Sequence, residues 1–227
     1  MNIAIIPARS GSKRIPKKNI KDFCGKPMIA WSIEKALNSN CFDKVIVSTD
    51  CREIRDIAIH YGAEVPFLRP DSISDDHTPT IPVIQHAITM LSEIKINVNN
   101  VCCIYATAPF ITSLSIVDGL KKLTKNNYDY VFSAATFPSS IHRALSLNSK
   151  DIIQMINLEN ISSRSQDITE AWQDAGQFYW GRKNSWLSGK EIFNSYSSII
   201  PIDRKFVHDI DTIEDWELAE LIFEVIF

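Results

Sequence analysis

Short apolar runs alternate with amphipathic helical stripes along the first 135 residues, and this alternation limits the fold more than any other feature of the chain. Asn2 to Pro7 (NIAIIP) is a short, continuous apolar run, as a strand covered on both faces requires. Ile29, Ile33, Ala36 and Leu37 then mark one face of a helix, with Pro27 suited to its first turn. Lys44 to Ser48 (KVIVS) reads as a second strand. Ile54, Ile57, Ala58 and Tyr61 follow as a second helix, with Gly62 as its stop. A third stripe, Ile84, Ala87, Ile88 and Leu91, begins near Thr80 as N-cap, with Pro82 early in the helix. Val101 to Tyr105 is another strand, Ile116, Val117, Leu120 and Leu123 another helix, and Tyr130 to Ala134 another strand. Strands and helices in this order predict an α/β fold of Rossmann-like type, with a mostly parallel sheet and right-handed crossovers.

The pattern degrades between about residues 136 and 173, which are polar and irregular. This stretch is expected to be a small lobe, used for substrate contact or dimerisation, inserted into a single domain spanning residues 1–227. Gln177 to Trp180 (QFYW) reads as a strand returning to the core. Thr212 to Asp215 resembles a capping box, opening a helix through Trp216, Ala219, Ile222 and Phe223. A length of 227 residues with 45% hydrophobic composition supports one sizeable core. The net charge of -3 supplies no global basic field, so a nucleic-acid partner is not expected. The five cysteines are odd in number and show no paired CxxC spacing, which argues against a disulfide framework or a zinc site. No apolar run is long enough to span a bilayer and no basic n-region precedes the first one, so the expected location is the cytoplasm, away from membranes.

The strongest chemical signal follows the first strand. Ala8 to Lys21 (ARSGSKRIPKKNIK) holds Arg9, Lys13, Arg14, Lys17, Lys18 and Lys21 with no acid among them, and Ser10, Gly11 and Ser12 at its start. In an open α/β sheet, ligands bind beyond the carboxyl ends of the strands. Backbone N–H groups near small residues, flanked by Lys and Arg, suit a polyphosphate there. Charge alone fits a solvated basic loop equally well; the position after the first parallel strand favours the ligand. The segment is neither GxxxxGK[ST] nor GxGxxG, which disfavours a P-loop enzyme and a dinucleotide-dependent oxidoreductase.

His208-Asp209-Ile210-Asp211 places two carboxylates on one face of an extended chain, a donor pair suited to Mg²⁺ shared with phosphate oxygens. Alone it reads equally as loop acids that cap the last helix. Arg69, with Ser74, Asp75, Asp76, His77, Thr78 and Thr80 after it, offers groups that could hydrogen-bond a base, or an ordinary surface loop. Ser48-Thr49-Asp50 ends the second strand and either caps a helix or faces the same crevice. Arg164 could pair bidentately with a carboxylate. The five histidines show no ligand spacing, and the five tryptophans fit packing better than stacking on a ligand.

Together these segments resemble the acylneuraminate cytidylyltransferase family, over nearly the whole chain from Ile3 to the final helix. The opening IPARSGSKRIPKKNI resembles that family's signature loop. PFLRP, YATAPF, RSQD, DAGQFYWG and DIDTIEDW are closest to its branch acting on pseudaminic acid. The resemblance implies a three-layer nucleotide-diphospho-sugar transferase fold, a homodimer paired through the irregular lobe, and transfer of a cytidylyl group from CTP to an acidic nine-carbon sugar. It implies that Arg9, Ser12, Lys18 and Asn19, with the Ser10–Gly11 backbone beside them, hold the CTP phosphates. Arg69, Thr78 and Thr80 fall at cytosine and ribose, Arg164, Gln166 and Gln177 at the sugar, and Asp209 and Asp211 at Mg²⁺. Arg9, Lys18, Asp209 and Asp211 would carry the catalysis. Tyr105-Ala106-Thr107-Ala108-Pro109 stands where sialic acid synthetases carry a glutamine segment, which points to a modified sugar rather than plain N-acetylneuraminate. The alternatives are CMP-sialate, CMP-legionaminate or CMP-Kdo synthesis, or a regulator that binds CTP without turning it over.

Overall fold

A computed structural model describes residues 1–156, 164 and 168–227. β1 (Asn2–Pro7) leads into the basic loop, and β2 (Asp22–Phe23) and β3 (Lys26–Pro27) form a small hairpin before α1 (Met28–Asn38). There follow β4 (Lys44–Ser48), α2 (Arg52–His60), α3 (Thr80–Glu93), β5 (Asn100–Ile104), α4 (Ser113–Lys125) and β6 (Tyr130–Thr136). The chain then gives β7 (Leu145–Leu147), β8 (Ile153–Met155), β9 (Trp172–Arg182), α5 (Lys183–Leu187), β10 (Ser197–Pro201) and α6 (Ile213–Ile226).

The main sheet runs β10-β6-β9-β5-β1-β4. β1 pairs parallel with β4 and β5, and β10 parallel with β6, while β9 is antiparallel to both of its neighbours. The sheet is therefore mixed, mostly parallel, and covered on both faces. Alternate residues of each strand face opposite ways: Ala4, Ile6, Val45 and Val47 pack under α1, α2 and α4, whereas Ile3, Ile5 and Ile46 pack under α3 and α5. This explains why the strands read as continuous apolar runs.

Three details differ from the sequence reading. Pro27 lies one residue before α1 rather than in its first turn. Thr80 is the first residue of α3, preceded by Pro79, and its hydroxyl bonds Tyr105 instead of capping the helix. The predicted lobe is bounded by core strand: β6 extends to Thr136 and β9 begins at Trp172, with Ala135 paired to Gln173 and Thr136 to Trp172. Between them β7 and β8 form an antiparallel hairpin. β10 carried no sequence expectation; it is a half-exposed edge strand without strict alternation of buried and open positions. All five cysteines are free thiols. No helix among the described residues is long and apolar enough to cross a membrane.

A third apolar cluster positions the chemistry. Ile15 of the basic loop, Ile210 between the two aspartates, and Phe23, Phe110, Trp216 and Phe223 are buried together. The charged loop and the carboxylate segment are thus pulled together by the apolar residue each carries.

Candidate active site

Beyond the carboxyl ends of β1, β4 and β5 lies a cavity of about 280 Å³, lined by Arg9, Ser12, Arg14, Lys18, Arg69 and Asp211 among others. The loop is anchored at its start. The Ala8 amide bonds the Ser48 carbonyl at 3.0 Å, continuing the β1–β4 ladder. Asp50, just past β4, then accepts from the Ser10 amide at 3.0 Å and the Ser10 hydroxyl at 2.5 Å. The buried Asn19 side chain donates to the Arg9 carbonyl at 2.9 Å, and the Asn19 carbonyl receives the Ile29 amide at the start of α1. Asn19 therefore shapes the loop and lines the cavity at once.

The Lys18 ammonium lies 3.3 Å from the Asp211 carboxylate and also donates to the Ile210 carbonyl. Arg14 reaches the same Asp211 oxygen at 2.9 Å. Asp76, from the loop before α3, binds Arg9 and, at 2.6 Å, Lys13. Lys13 and then Arg9 hold the Asp76 carboxyl far below the usual carboxylate value, at about 2. Asp76 and Asp211 thus each sit against two cations of the loop, and the cavity lining carries the cations Arg9, Arg14, Lys18 and Arg69 against the acids Asp75, Asp76 and Asp211.

Arg69 is the buried cation of the site, 5% exposed. Its amide bonds the Thr49 carbonyl at 2.8 Å and its Nε donates to the Ser74 hydroxyl at 3.0 Å. One terminal guanidinium nitrogen is buried with no hydrogen-bond partner among the described residues, Asp50 standing 3.9 Å away. Burial lowers the pKa of this guanidinium, and Asp50 partly offsets that. A buried donor left unpaired costs about 1–3 kcal/mol, so this wall of the cavity calls for an acceptor. Thr78 and Thr80 lie beside it. The Thr78 hydroxyl and amide both bond Asp75, at 2.8 and 2.7 Å.

A second cavity of about 470 Å³ adjoins the first and shares Tyr105 and Thr107 with it. Asp209 lines the second cavity and Asp211 the first, so the pair straddles their junction. The Asp209 carboxyl is raised above its ordinary value, by desolvation among its neighbours first and by Asp211 second. No group of three or more His, Cys, Asp or Glu among the described residues is arranged to hold a metal; the carboxylates lining the two cavities are Asp75, Asp76 and Asp211 in the first and Asp174 and Asp209 in the second.

Some predicted residues stand elsewhere. Gln177 is buried and donates to the Phe206 carbonyl at 2.6 Å; it opens on a separate groove with Phe110, Ile202 and Phe206. It ties β9 to the turn that leads into His208–Asp211 and does not line the second cavity. The wide bulge in β9, where Phe132 pairs with Tyr179 but Ala134 with Asp174, turns Gln177 away from it. Arg164 is exposed and lines neither cavity. Gln166 lies outside the described residues. Gly11 and Ser10 belong to the loop but do not line the cavity as Ser12 does. Tyr105 and Thr107 line both cavities without a binding expectation from the sequence, whereas Asp174 lies in the DAGQFYWG segment. Their signal was positional, since Tyr105 and Thr107 follow the carboxyl end of β5.

A covered, mostly parallel sheet with a cationic, polyphosphate-sized cavity at its carboxyl edge and a carboxylate pair across it defines a nucleotidyltransferase. The family model described as cytidylyltransferase matches residues 3–220, and the chain belongs to that family. It is 44% identical to the pseudaminic acid cytidylyltransferase of Campylobacter jejuni subsp. jejuni serotype O:2, over 99% of this chain and 97% of the relative. It is 33% identical to the N-acylneuraminate cytidylyltransferase of Escherichia coli, over 96% of this chain and 51% of the relative. Among solved structures, CMP:2-keto-3-deoxy-manno-octonic acid synthetase complexed with CTP superposes with a TM-score of 0.73 at 16% identity, covering 100% of this chain and 99% of that one. That likeness establishes the nucleotide-sugar transferase fold.

Proposed function

We propose that this protein transfers the cytidylyl group of CTP to pseudaminic acid, giving CMP-pseudaminic acid and pyrophosphate. The identity of 44% over nearly the full length to an enzyme of that name supports the choice of sugar. One observation carries the chemistry: Lys18 and Asp211 lie 3.3 Å apart inside a cavity also lined by Arg9, Arg14 and Arg69.

In this reading the triphosphate lies along Arg9, Arg14 and Lys18, and the unpaired Arg69 nitrogen meets an acceptor on the base. The sugar occupies the second cavity and reaches the nucleotide past Tyr105 and Thr107. Its anomeric oxygen forms a bond to the α-phosphorus, the bond from that phosphorus to the bridging oxygen breaks, and pyrophosphate leaves. The hydroxyl proton departs to a base on the Asp209–Asp211 side of the cleft. The chain's task is to align the two oxygens and balance charge on the triphosphate.

Mg²⁺ is assigned to Asp209 and Asp211. The donor set fits, because Mg²⁺ takes one or two carboxylates together with phosphate oxygens, and Asp209 has no ion-pair partner among the described residues. Bound there, the ion would neutralise charge on the triphosphate. The reaction is placed in the cytoplasm, where five free thiols stay reduced. A homodimer joined through the β7–β8 hairpin is part of the same reading, supported by the apolar residues that hairpin leaves open: Leu145, Leu147 and Ile153.

Pyrophosphate release tests this directly. With CTP and Mg²⁺, pseudaminic acid should give the highest kcat/KM in a panel with N-acetylneuraminic acid, legionaminic acid and Kdo, and chelation should stop turnover. Higher kcat/KM with another sugar would reassign the substrate. CTP binding without pyrophosphate from any sugar would make the protein a nucleotide-binding regulator.

A further inference from the structure

We propose that Asp174, pinned by Tyr179, determines sugar specificity by accepting the N–H of an acylamino substituent. The inference rests on the cytidylyltransfer reading above and concerns the second cavity of that site.

Asp174 lines this cavity with its side chain open, between Gln173 and the bulge at residues 175–178. Bulges of this kind re-aim side chains beside binding sites. Gly176 makes the bulge possible, with φ at +61°. One Asp174 oxygen accepts the Gly176 amide at 3.0 Å and the other accepts the Tyr179 hydroxyl at 2.5 Å. Two donors from one strand fix the carboxylate in place. A carboxylate offers about four acceptor sites, so roughly half its capacity remains for a ligand.

Tyr179 is suited to be the fixed donor. Its ring is buried between Tyr105, 5.3 Å away, and Phe132, 6.1 Å away between centroids. Burial, followed by Tyr105 and Asp174, pushes its hydroxyl far above the usual tyrosine value, so it keeps its proton at any physiological pH. The Tyr105 hydroxyl meets that of Thr80 at 2.9 Å, which ties this wall to the nucleotide cavity.

The cavity's charge fixes the orientation of an acidic sugar. Its acids are Asp174 and Asp209, while Arg9, Arg14 and Lys18 line the neighbouring cavity. The sugar's own carboxylate is therefore repelled from Asp174, and its donor-bearing substituents are the groups that can meet it. An acylamino group combines an obligate N–H donor with an apolar acyl carbon. Tyr105, Ala175, Tyr179 and Val207 supply apolar surface for that carbon beside the Asp174 acceptor.

The test measures sugar KM, CTP KM and kcat by pyrophosphate release for the wild type, Asp174→Asn and Tyr179→Phe. The substrates are pseudaminic acid, which bears two acylamino groups, and Kdo, which bears none. In Asp174→Asn the sugar KM for pseudaminic acid should rise about tenfold or more, and the preference over Kdo should fall by a similar factor, while CTP KM stays within about twofold. Tyr179→Phe removes one oxygen and should give a smaller loss of the same preference, which keeps the test decisive if Asp174→Asn does not fold. Unchanged preference in both variants overturns the proposal, as does a parallel rise of both KM values, which a purely structural role would give. Absence of wild-type turnover with every acylamino sugar would overturn the functional reading and this inference with it. Wild-type turnover with unchanged preference in the variants overturns this inference alone.

Discussion

Asp76 holds two of the cations that a triphosphate would need, Arg9 and Lys13. Binding of CTP must exchange that carboxylate for phosphate oxygens. Asp76→Asn should therefore tighten CTP binding by about three- to tenfold, the scale of one or two exposed ion pairs, as read by calorimetry. The sign with pH follows from the depressed carboxyl. The contact is intact above the ordinary aspartate value and is lost only as pH falls through about 2. The gain in Asp76→Asn should consequently be equal at pH 6 and pH 8; a gain confined to pH 8 would refute the contact. Lys18→Ala should cost about two decades in kcat, as loss of one transition-state electrostatic partner does. Asp211→Ala should abolish turnover with the fold retained by circular dichroism; near wild-type rates in Mg²⁺ would remove Asp211 from the site. Arg9, Lys13, Arg14 and Lys18 were legible because they cluster in one loop after β1. The inward turn of Gln177 was not, because it depends on a bulge in β9 that no local pattern announces.

Helix α6 links stability to the site. Thr212 and Asp215 form a reciprocal capping box, and the Asp215 carboxylate also accepts the Asp211 amide at 3.1 Å. Thr212→Ala should lower stability by about 1 kcal/mol, the worth of an N-cap. It should also raise KM for Mg²⁺ several-fold, since the Asp215 carboxylate that accepts the Asp211 amide loses its bond from the Thr212 hydroxyl; chemical denaturation and Mg²⁺ titration of the rate would measure the two effects. Helix α4 meets the sheet at Gly119, where an added Cβ would lie 2.6 Å from the buried Trp180 ring. Gly119→Ala should then destabilise the fold by about 1–3 kcal/mol despite its better helix propensity, a shift visible in urea unfolding. The capping box was readable as Thr212-Ile213-Glu214-Asp215, because its whole chemistry fits within four residues. The direction of β9 was not, since the apolar run QFYW serves a parallel or an antiparallel neighbour equally well. Edge strand β10, half-exposed along its length, offered no strict alternation to detect.

At the scale of the whole molecule, the β7–β8 hairpin stands out because its apolar side chains lie open among the described residues. Its register pairs Leu145 with Met155 and Leu147 with Ile153, which puts four apolar side chains on one face. Leu145, Leu147 and Ile153 are 59%, 63% and 63% exposed. A two-stranded hairpin is marginal in water unless a further layer covers it, and contiguous apolar surface on an otherwise charged protein marks an interaction site. In the proposed homodimer a second copy would supply the matching face, because a two-fold axis would set each patch against its own equivalent. Leu147→Glu, with Ile153→Glu as a second variant, should shift the protein from dimer to monomer in sedimentation velocity at micromolar concentration. Core stability should change little, since neither residue touches the buried clusters. CTP binding should survive in the monomer, because the first cavity is built from β1, β4, β5 and the loops around them, far along the chain from the hairpin. A wild type that sediments as a monomer at every concentration would refute the dimer, and the hairpin would then need a different partner to cover it.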